Sequence, residues 1–323
     1  MGPPTVTSDE RPAVLVAGAS GLIGGALVDR LTRDGRRVLR LQRPETGSAS
    51  STPPPRAVTV PFDPGAGHPS TAALEGLGPI DAVVNLAGAG IGDRRWSPSR
   101  KQALRASRLV TTDAIVDLAG RCDPLPRVLV NASAVGVYGD RGQEVLTETS
   151  AAGSGFLAEL CRDWEASASR ATDLGLRTVL LRSGIVLAPR GGALGRQVPL
   201  FRLGLGGRLG PGTQYRSWIS LEDEVAVIVR CLDDDGFAGP VNATGPDPVT
   251  DADFAVALGR ALRRPARLAV PAAALRVALG REMADEMLLS GQRVEPALLR
   301  SRGFEFAHPT LDAALSWVLP TGR

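Results

Sequence analysis

Glycine stands at positions 18, 21 and 24 of the segment Gly18-Ala19-Ser20-Gly21-Leu22-Ile23-Gly24. Glycines at that spacing let a backbone turn tightly and approach a pyrophosphate, whose charge then rests on the amides at the start of a following helix. The surroundings suit that chemistry. The apolar run Ala13–Ala17 enters the turn, a helical pattern from Gly25 to Thr32 leaves it, and a second apolar strand, Val38–Leu41, follows at the distance of a strand–helix–strand unit. Gly18, Ser20, Gly21, Leu22, Ile23 and Gly24 are therefore expected to hold a dinucleotide. The plainer readings are an ordinary strand–helix turn or a Gly21-x-x-x-Gly25 helix-packing pair. A membrane span is excluded, because the stretch is short and glycine-rich and Asp29 and Arg30 close it.

The end of the second strand bears on which dinucleotide is bound. In Leu41-Gln42-Arg43 a neutral Gln42 stands where a carboxylate would bind the ribose diol and repel a 2′-phosphate, and Arg43 beside it can pair with phosphate. NADP(H) is thus expected over NAD(H), with a plain surface charge as the other reading of Arg43. Asp63, after the third strand, is placed to hydrogen-bond the adenine amino group or to cap its own loop. The fourth strand ends Asn85-Leu86-Ala87-Gly88, where Leu86, Ala87 and Gly88 let a ribose come close to the backbone.

The elements that must position these residues alternate. Strand signals recur at Ala13–Ala17, Val38–Leu41, Ala57–Phe62, Ala82–Leu86, Arg127–Asn131 and Thr178–Leu181, with helical patterns such as Lys101–Ala119 and Phe156–Leu174 between them. The expected fold is α/β: a doubly wound parallel sheet of the Rossmann type with a smaller, mainly helical C-terminal substrate lobe. Residues 1–10 read as a polar tail, 11–188 as the dinucleotide domain and 189–323 as the substrate lobe. Within that lobe a glycine-rich, loop-like segment runs to Trp218, and a helical module occupies about 270–320. Loops of this kind can shape a cleft or merely connect.

Composition narrows the function classes. The 323 residues carry a net charge of +3, but the basic residues are dispersed with no run of five or six and no interleaved aromatics, which argues against nucleic acid as a partner. A small-molecule substrate is expected instead. Lys101 is the sole lysine. Cys122, Cys161 and Cys231 are odd in number and widely spaced, as reduced thiols of a cytoplasmic protein would be. The first ten residues lack the apolar core of a secretory signal, and Val6 stands where myristoylation needs Ser or Thr. His68 and His308 are too isolated to suggest a metal site, and no histidine stands near a serine nucleophile.

With these motifs in hand, the chain resembles the short-chain dehydrogenase/reductase superfamily in its extended, epimerase-like branch, and more closely its atypical epimerase family group with a distinctive C-terminal domain. The resemblance spans residues 11–319. Beyond the glycine turn and Asn85–Gly88 it is carried by Arg95-Trp96, Ser107-Arg108-x-x-Thr111-Thr112, Asn131-Ala132-Ser133-Ala134-Val135-Gly136-Val137-Tyr138-Gly139 and Trp164-Glu165. Leu181–Leu187, Gly204-Leu205-Gly206-Gly207, Trp218–Asp223 and Gly291-Gln292-Arg293-Val294 complete it. It implies cofactor contacts at Arg43, Leu86, Ala87 and Arg108 and near Val186. It also implies that Gln214-x-Arg216-x-Trp218 meets substrate, with Arg216 serving an anionic group and Trp218 an apolar or sugar face; a loop arginine and a core tryptophan are the alternative.

The chain departs from the superfamily at the Tyr-x-x-x-Lys pair, whose lysine lowers the tyrosine's pKa and holds the nicotinamide ribose while the phenol exchanges a proton with substrate. Four residues after Tyr138 and Tyr215 stand Gly142 and Ile219, and the segment expected to hold the pair reads Phe156-Leu157-Ala158-Glu159-Leu160. Ser133 remains at the place of the superfamily's carbonyl-polarising serine, and Tyr138 follows in the adjoining loop. Both are the catalytic candidates, with a strand-end cap and a packing residue as their structural alternatives; Glu148, Glu159 and Asp163 are further acids. The function implied is an NADP(H)-dependent oxidoreductase or epimerase-like enzyme on a small carbonyl or hydroxyl compound. The alternatives are a non-redox isomerase, dehydratase or cyclase, or an NADP(H)-binding sensor without turnover.

Overall fold

Seven runs rich in Val, Leu, Ile and Ala form one wholly parallel sheet in the computed structural model, which describes residues 12–43, 57–65 and 74–319. They are β1 Ala13–Ala17, β2 Arg37–Gln42, β3 Ala57–Pro61, β4 Ile80–Asn85, β5 Val128–Ala134, β6 Arg177–Ser183 and β7 Gly239–Ala243. Their spatial order is β7-β6-β5-β4-β1-β2-β3. Every residue of β1 is buried, as expected of a strand covered on both faces. The order reverses between β1 and β4, and a crevice opens at the carboxyl ends of strands at such a switch point.

The helices are α1 Leu22–Arg33, α2 Pro98–Ala119, α3 Phe156–Asp173, α4 Gly192–Arg202, α5 Leu221–Asp233 and α6 Asp251–Ala261. On one face Val14, Val16, Val38 and Val130 pack against Leu27, Val28 and Leu31 of α1 and Ile228 and Leu232 of α5. On the other, Leu15, Leu39, Val83 and Leu129 meet Ile115 and Leu118 of α2 and Ala171 of α3. Side-chain oxygens fix the helix starts: Ser97 caps α2 ahead of Pro98, Ser220 caps α5 and Thr250 caps α6.

The parallel sheet and helical second lobe agree with the expectation, with two differences. The glycine-rich stretch after Pro189 contains α4, so it is not simply loop. The boundary drawn at 188/189 is crossed by the sheet itself, because β7 pairs with β6 from Gly239↔Val179 to Ala243↔Ser183 and α5 belongs to the sheet's core. The remaining second-lobe core gathers Leu194, Phe201, Trp218, Phe254, Leu258, Leu311 and Leu315. Helix Leu311–Val318 supplies Leu311 and Leu315 to that core, Leu299 of helix Ala297–Ser301 packs into the sheet's core, and Arg293–Val294 pairs with Val145–Leu146 of the first half. The tail at 1–10, the connection at 47–55 and His68 lie outside the described residues. Among the described residues, no helix is long and apolar enough to cross a membrane.

Candidate active site

At the switch point the turn between β1 and α1 presses on the end of β4. Gly18 has φ +77°, and a Cβ there would lie 2.7 Å from the Leu86 carbonyl carbon and oxygen. A Cβ on Gly24 would lie 2.1 Å from the Gly18 carbonyl oxygen, so the first turn of α1 can sit on the loop only with glycine. Gly21 caps α1 and donates its N–H to Gly18 O at 2.9 Å. The amides of Leu22, Ile23 and Gly24 then lack intrahelical acceptors, and no side chain caps that end. This is a cradle suited to an anion.

A cavity of about 410 Å³ opens over this turn, lined by Gly18, Ser20 and Gly21, by Arg40, Gln42 and Arg43 of β2 and its end, and by Leu86, Ala87 and Gly88. Ser107 and Thr111 of α2 close one side, and Phe62 and Pro64 another. The end of β4 is fixed from below: Asn85 Nδ2 donates to Asn131 Oδ1 at 2.7 Å and to Thr112 Oγ1 at 2.9 Å, and Asn85 Oδ1 accepts the Ala87 N–H. The cavity therefore fits a dinucleotide: glycine cradle, unpaired amides, open strand ends and two guanidinium groups at one end.

Three expected cofactor contacts, Asp63, Arg108 and Val186, lie off the cavity wall. The Asp63 carboxylate accepts the Gly65 N–H at 2.9 Å, which is the loop-capping alternative, and the cavity wall beside it is Phe62 and Pro64. Arg108 is buried behind the loop, with Nη1 donating to Ala89 O at 3.1 Å and to Leu104 O at 3.2 Å and its guanidinium 5.0 Å from the Trp164 ring. Burial lowers its pKa, and it shapes the loop after Gly88 rather than the cavity wall. Val186 sits in the short strand Ile185–Leu187, packed on the sheet core together with the side chain of Ile23.

The catalytic candidates come together, but in the interior. The Ser133 hydroxyl donates to Glu165 Oε1 at 2.6 Å, and Glu165 forms a two-pronged ion pair with Arg182, both contacts 2.8 Å. Arg182 Nη1 donates to the Tyr138 hydroxyl at 3.0 Å, and that hydroxyl donates to Asn242 Oδ1 of β7 at 2.7 Å. Ser133 is 5% exposed and Tyr138 0%. Ser133 faces Glu165 of α3, burial raises the Tyr138 pKa, and both hydroxyls are engaged within this buried network. The other acids are also engaged. Glu148 Oε1 accepts the Asn242 and Leu298 N–H groups, while Glu159 and Asp163 both pair with Arg105.

Where the Tyr-x-x-x-Lys pair would begin, Phe156 opens α3, edge-on to Trp96 with ring centroids 5.0 Å apart. The carboxylate of Glu286, from the C-terminal module, accepts the N–H groups of Phe156 at 2.9 Å and Leu157 at 2.8 Å. Lys101, the sole lysine, pairs with Glu282 of the same module at 2.9 Å and stands 5.0 Å from the Phe156 ring. Beside this junction, past the carboxyl end of β5, lies a second cavity of about 180 Å³ walled by Gly136, Asp140, Ser154, Leu157, Glu286, Ser290 and Gln292. Sequence reasoning missed Arg40, Glu286 and the Glu165–Arg182 pair. Only Arg40 left a signal, a charged residue in the middle of an apolar strand.

The expected substrate residues are part of the second lobe's own structure. Gln214 Nε2 donates to Leu209 O and Leu288 O, both at 2.9 Å. Arg216 is buried in an ion pair with Asp251, which neutralises the charge an anionic substrate would need. Trp218 is 0% exposed and gives its indole N–H to Asp247 O at 2.8 Å. Trp218 is the core tryptophan of the alternative reading, and Arg216 lies not in a loop but in the short strand Tyr215–Arg216, paired with Val249–Thr250.

The model of the NAD dependent epimerase/dehydratase family matches residues 14–242, and a domain of unknown function (DUF1731) matches residues 270–318. Epimerase family protein Mb2239 of Mycobacterium bovis is 46% identical over 304 residues, covering 94% of this chain and 96% of that protein. The crystal structure of human epimerase family protein SDR39U1 (isoform 2) with NADPH superposes with a TM-score of 0.83 at 32% identity, over 96% of this chain and 100% of that one. A nucleoside-diphosphate sugar epimerase from Corynebacterium glutamicum gives a TM-score of 0.73 at 34% identity, over 96% of this chain and 59% of that one.

Proposed function

We propose that this chain, which belongs to the NAD dependent epimerase/dehydratase family, binds NADP(H) in the cavity over the glycine turn and acts as an oxidoreductase or epimerase-like enzyme on a small carbonyl or hydroxyl compound. The observation that carries the reading is the cavity wall itself: glycine backbone and helix amides at one side, Arg43 at the end of β2, and no acidic side chain among the described residues that line it. The solved relative with NADPH supports the choice of cofactor. When bound, the nicotinamide supplies or accepts hydride.

The chain's own residues then have three tasks. The turn from Gly18 to Gly24 holds the pyrophosphate, Arg43 pairs with the 2′-phosphate, and Leu86–Gly88 let the ribose approach. The small cavity off β5 takes the substrate. Ser154, Ser290 and Gln292 offer hydrogen bonds to hydroxyls, and Asp140, Asp285 and Glu286 are the acids at its wall. That wall carries no arginine or lysine among the described residues, which suits a neutral compound better than a nucleoside diphosphate.

The second reading, a non-redox isomerase or a cofactor sensor, is favoured by the burial of Ser133 and Tyr138 and by Phe156 at the start of α3. Stereospecifically deuterated NADPH incubated with a panel of carbonyl compounds separates the two. Transfer of label to any of them supports the oxidoreductase; its absence throughout supports the second reading.

A further inference from the structure

Arg40 lies in the middle of β2, in register with Val16 of β1 and Thr59 of β3. It is 8% exposed, its Nε has no hydrogen-bond partner, and no carboxylate among the described residues pairs with it. A buried cation without a counter-charge is costly, and a strand between two others is a poor place for one. Yet Arg40 lines the dinucleotide cavity. Period-two alternation sets it on the face of Val38 and Gln42, the face that α1 covers, so its side chain reaches the cavity beside Ser20 and Gly21. Arg43 reaches the same cavity from the strand's end. An anion of charge near −2 placed there would meet two guanidinium groups, and it would satisfy the orphaned Nε.

We infer that Arg40 is a second guanidinium for the cofactor's 2′-phosphate, an assignment that rests on the NADP(H) reading of this cavity. Arg40 supplies the buried charge and Arg43 the exposed one. The discrimination against NAD(H) is therefore shared by two residues, one of them hidden within a strand.

Calorimetric titration with 2′,5′-ADP and 5′-AMP, which differ only in the 2′-phosphate, tests this without turnover. Arg40→Met should weaken 2′,5′-ADP by about tenfold or more and leave 5′-AMP within about twofold, with Arg40→Lys between wild type and Met. In the absence of nucleotide, Arg40→Met should melt no lower than wild type, because an unpaired buried charge has been replaced by an apolar chain of similar length. A wild type that binds the two nucleotides alike overturns the NADP(H) reading and this assignment with it. A wild type that prefers 2′,5′-ADP, beside an Arg40→Met variant that keeps the preference or loses both nucleotides equally, overturns the assignment alone. Should Arg40→Met fail to fold, Arg40→Lys decides by the same ratio.

Discussion

Glu286 and Phe156 are 130 residues apart in the chain, yet the carboxylate of one accepts the backbone N–H of the other at 2.9 Å. A negative charge at a helix N-terminus is favourable on its own account. Here it also fastens the C-terminal module to α3, the helix whose first turn would otherwise begin the tyrosine–lysine pair. Glu286→Ala should lower stability by about 0.5–2 kcal/mol, with Glu286→Gln, which keeps one acceptor, closer to wild type. Urea midpoints measure the loss, and faster amide exchange at Phe156 and Leu157 would localise it. Unchanged exchange there would show that the cap contributes nothing.

Arg43 has a direct readout in the cofactor. NADPH should bind more tightly than NADH, and Arg43→Ala should remove about 1.5–3 kcal/mol of that difference. Titration of both cofactors against both proteins checks it; a wild type indifferent to the 2′-phosphate would sink it.

The glycines of the turn divide into two kinds. A Cβ at Gly21 would meet only the Gly18 carbonyl oxygen, at 3.2 Å, whereas at Gly18 and Gly24 it would strike backbone. Gly21→Val should therefore fold, as judged by circular dichroism, and lose cofactor because its side chain occupies the pyrophosphate's space. Gly18→Val and Gly24→Val should melt well below wild type. Normal melting of Gly24→Val would mean that the turn can move.

Inside the sheet, the cost of mutation should follow charge. Ser133→Ala leaves the Glu165–Arg182 pair intact and should cost about 1 kcal/mol. Glu165→Ala leaves Arg182 buried and uncompensated, at about 3–5 kcal/mol. Urea unfolding of both variants, with NADPH affinity measured alongside, is the check. If Ser133→Ala instead cut turnover by orders of magnitude at unchanged stability, its hydroxyl would have to reach substrate.

Glu224 sets a pH dependence. One oxygen accepts the Ser183 hydroxyl at 2.6 Å, the other has no partner, and burial pushes the carboxyl from 4.5 up to about 7. A carboxyl raised in the folded state favours folding fully below its unfolded value, and that advantage is lost as pH rises through the folded one. Between those two values this group should remove on the order of 3 kcal/mol of stability. Glu224→Gln, which mimics the protonated form, should flatten the decline and melt higher than wild type at alkaline pH. Parallel melting curves across pH for the two proteins would contradict it.

The residues legible in the sequence were those whose role is local. The turn from Gly18 to Gly24, the strand before it and the neutral Gln42 are neighbours along the chain, and their chemistry follows from spacing. Ser133 and Tyr138 are adjacent in the same sense, but which way their hydroxyls point is decided by Glu165, Arg182 and Asn242, on three other elements. Arg216 looked available because Asp251, which neutralises it, lies 35 residues on, at the start of α6. Glu286 carries no motif. Its role exists only because the C-terminal module folds back onto α3.

The return of β7 to the sheet bears on how the chain is made. During synthesis the dinucleotide half emerges first, yet the outer edge of β6 is bare until residues 239–243 leave the ribosome and pair with it. An unpaired strand edge is a template for association with other chains. The nascent protein thus passes through an interval in which its cofactor turn is complete and its sheet is not. A nucleotide bound early, at β1 and α1, would steady that intermediate from within the sheet, three strands from the bare edge.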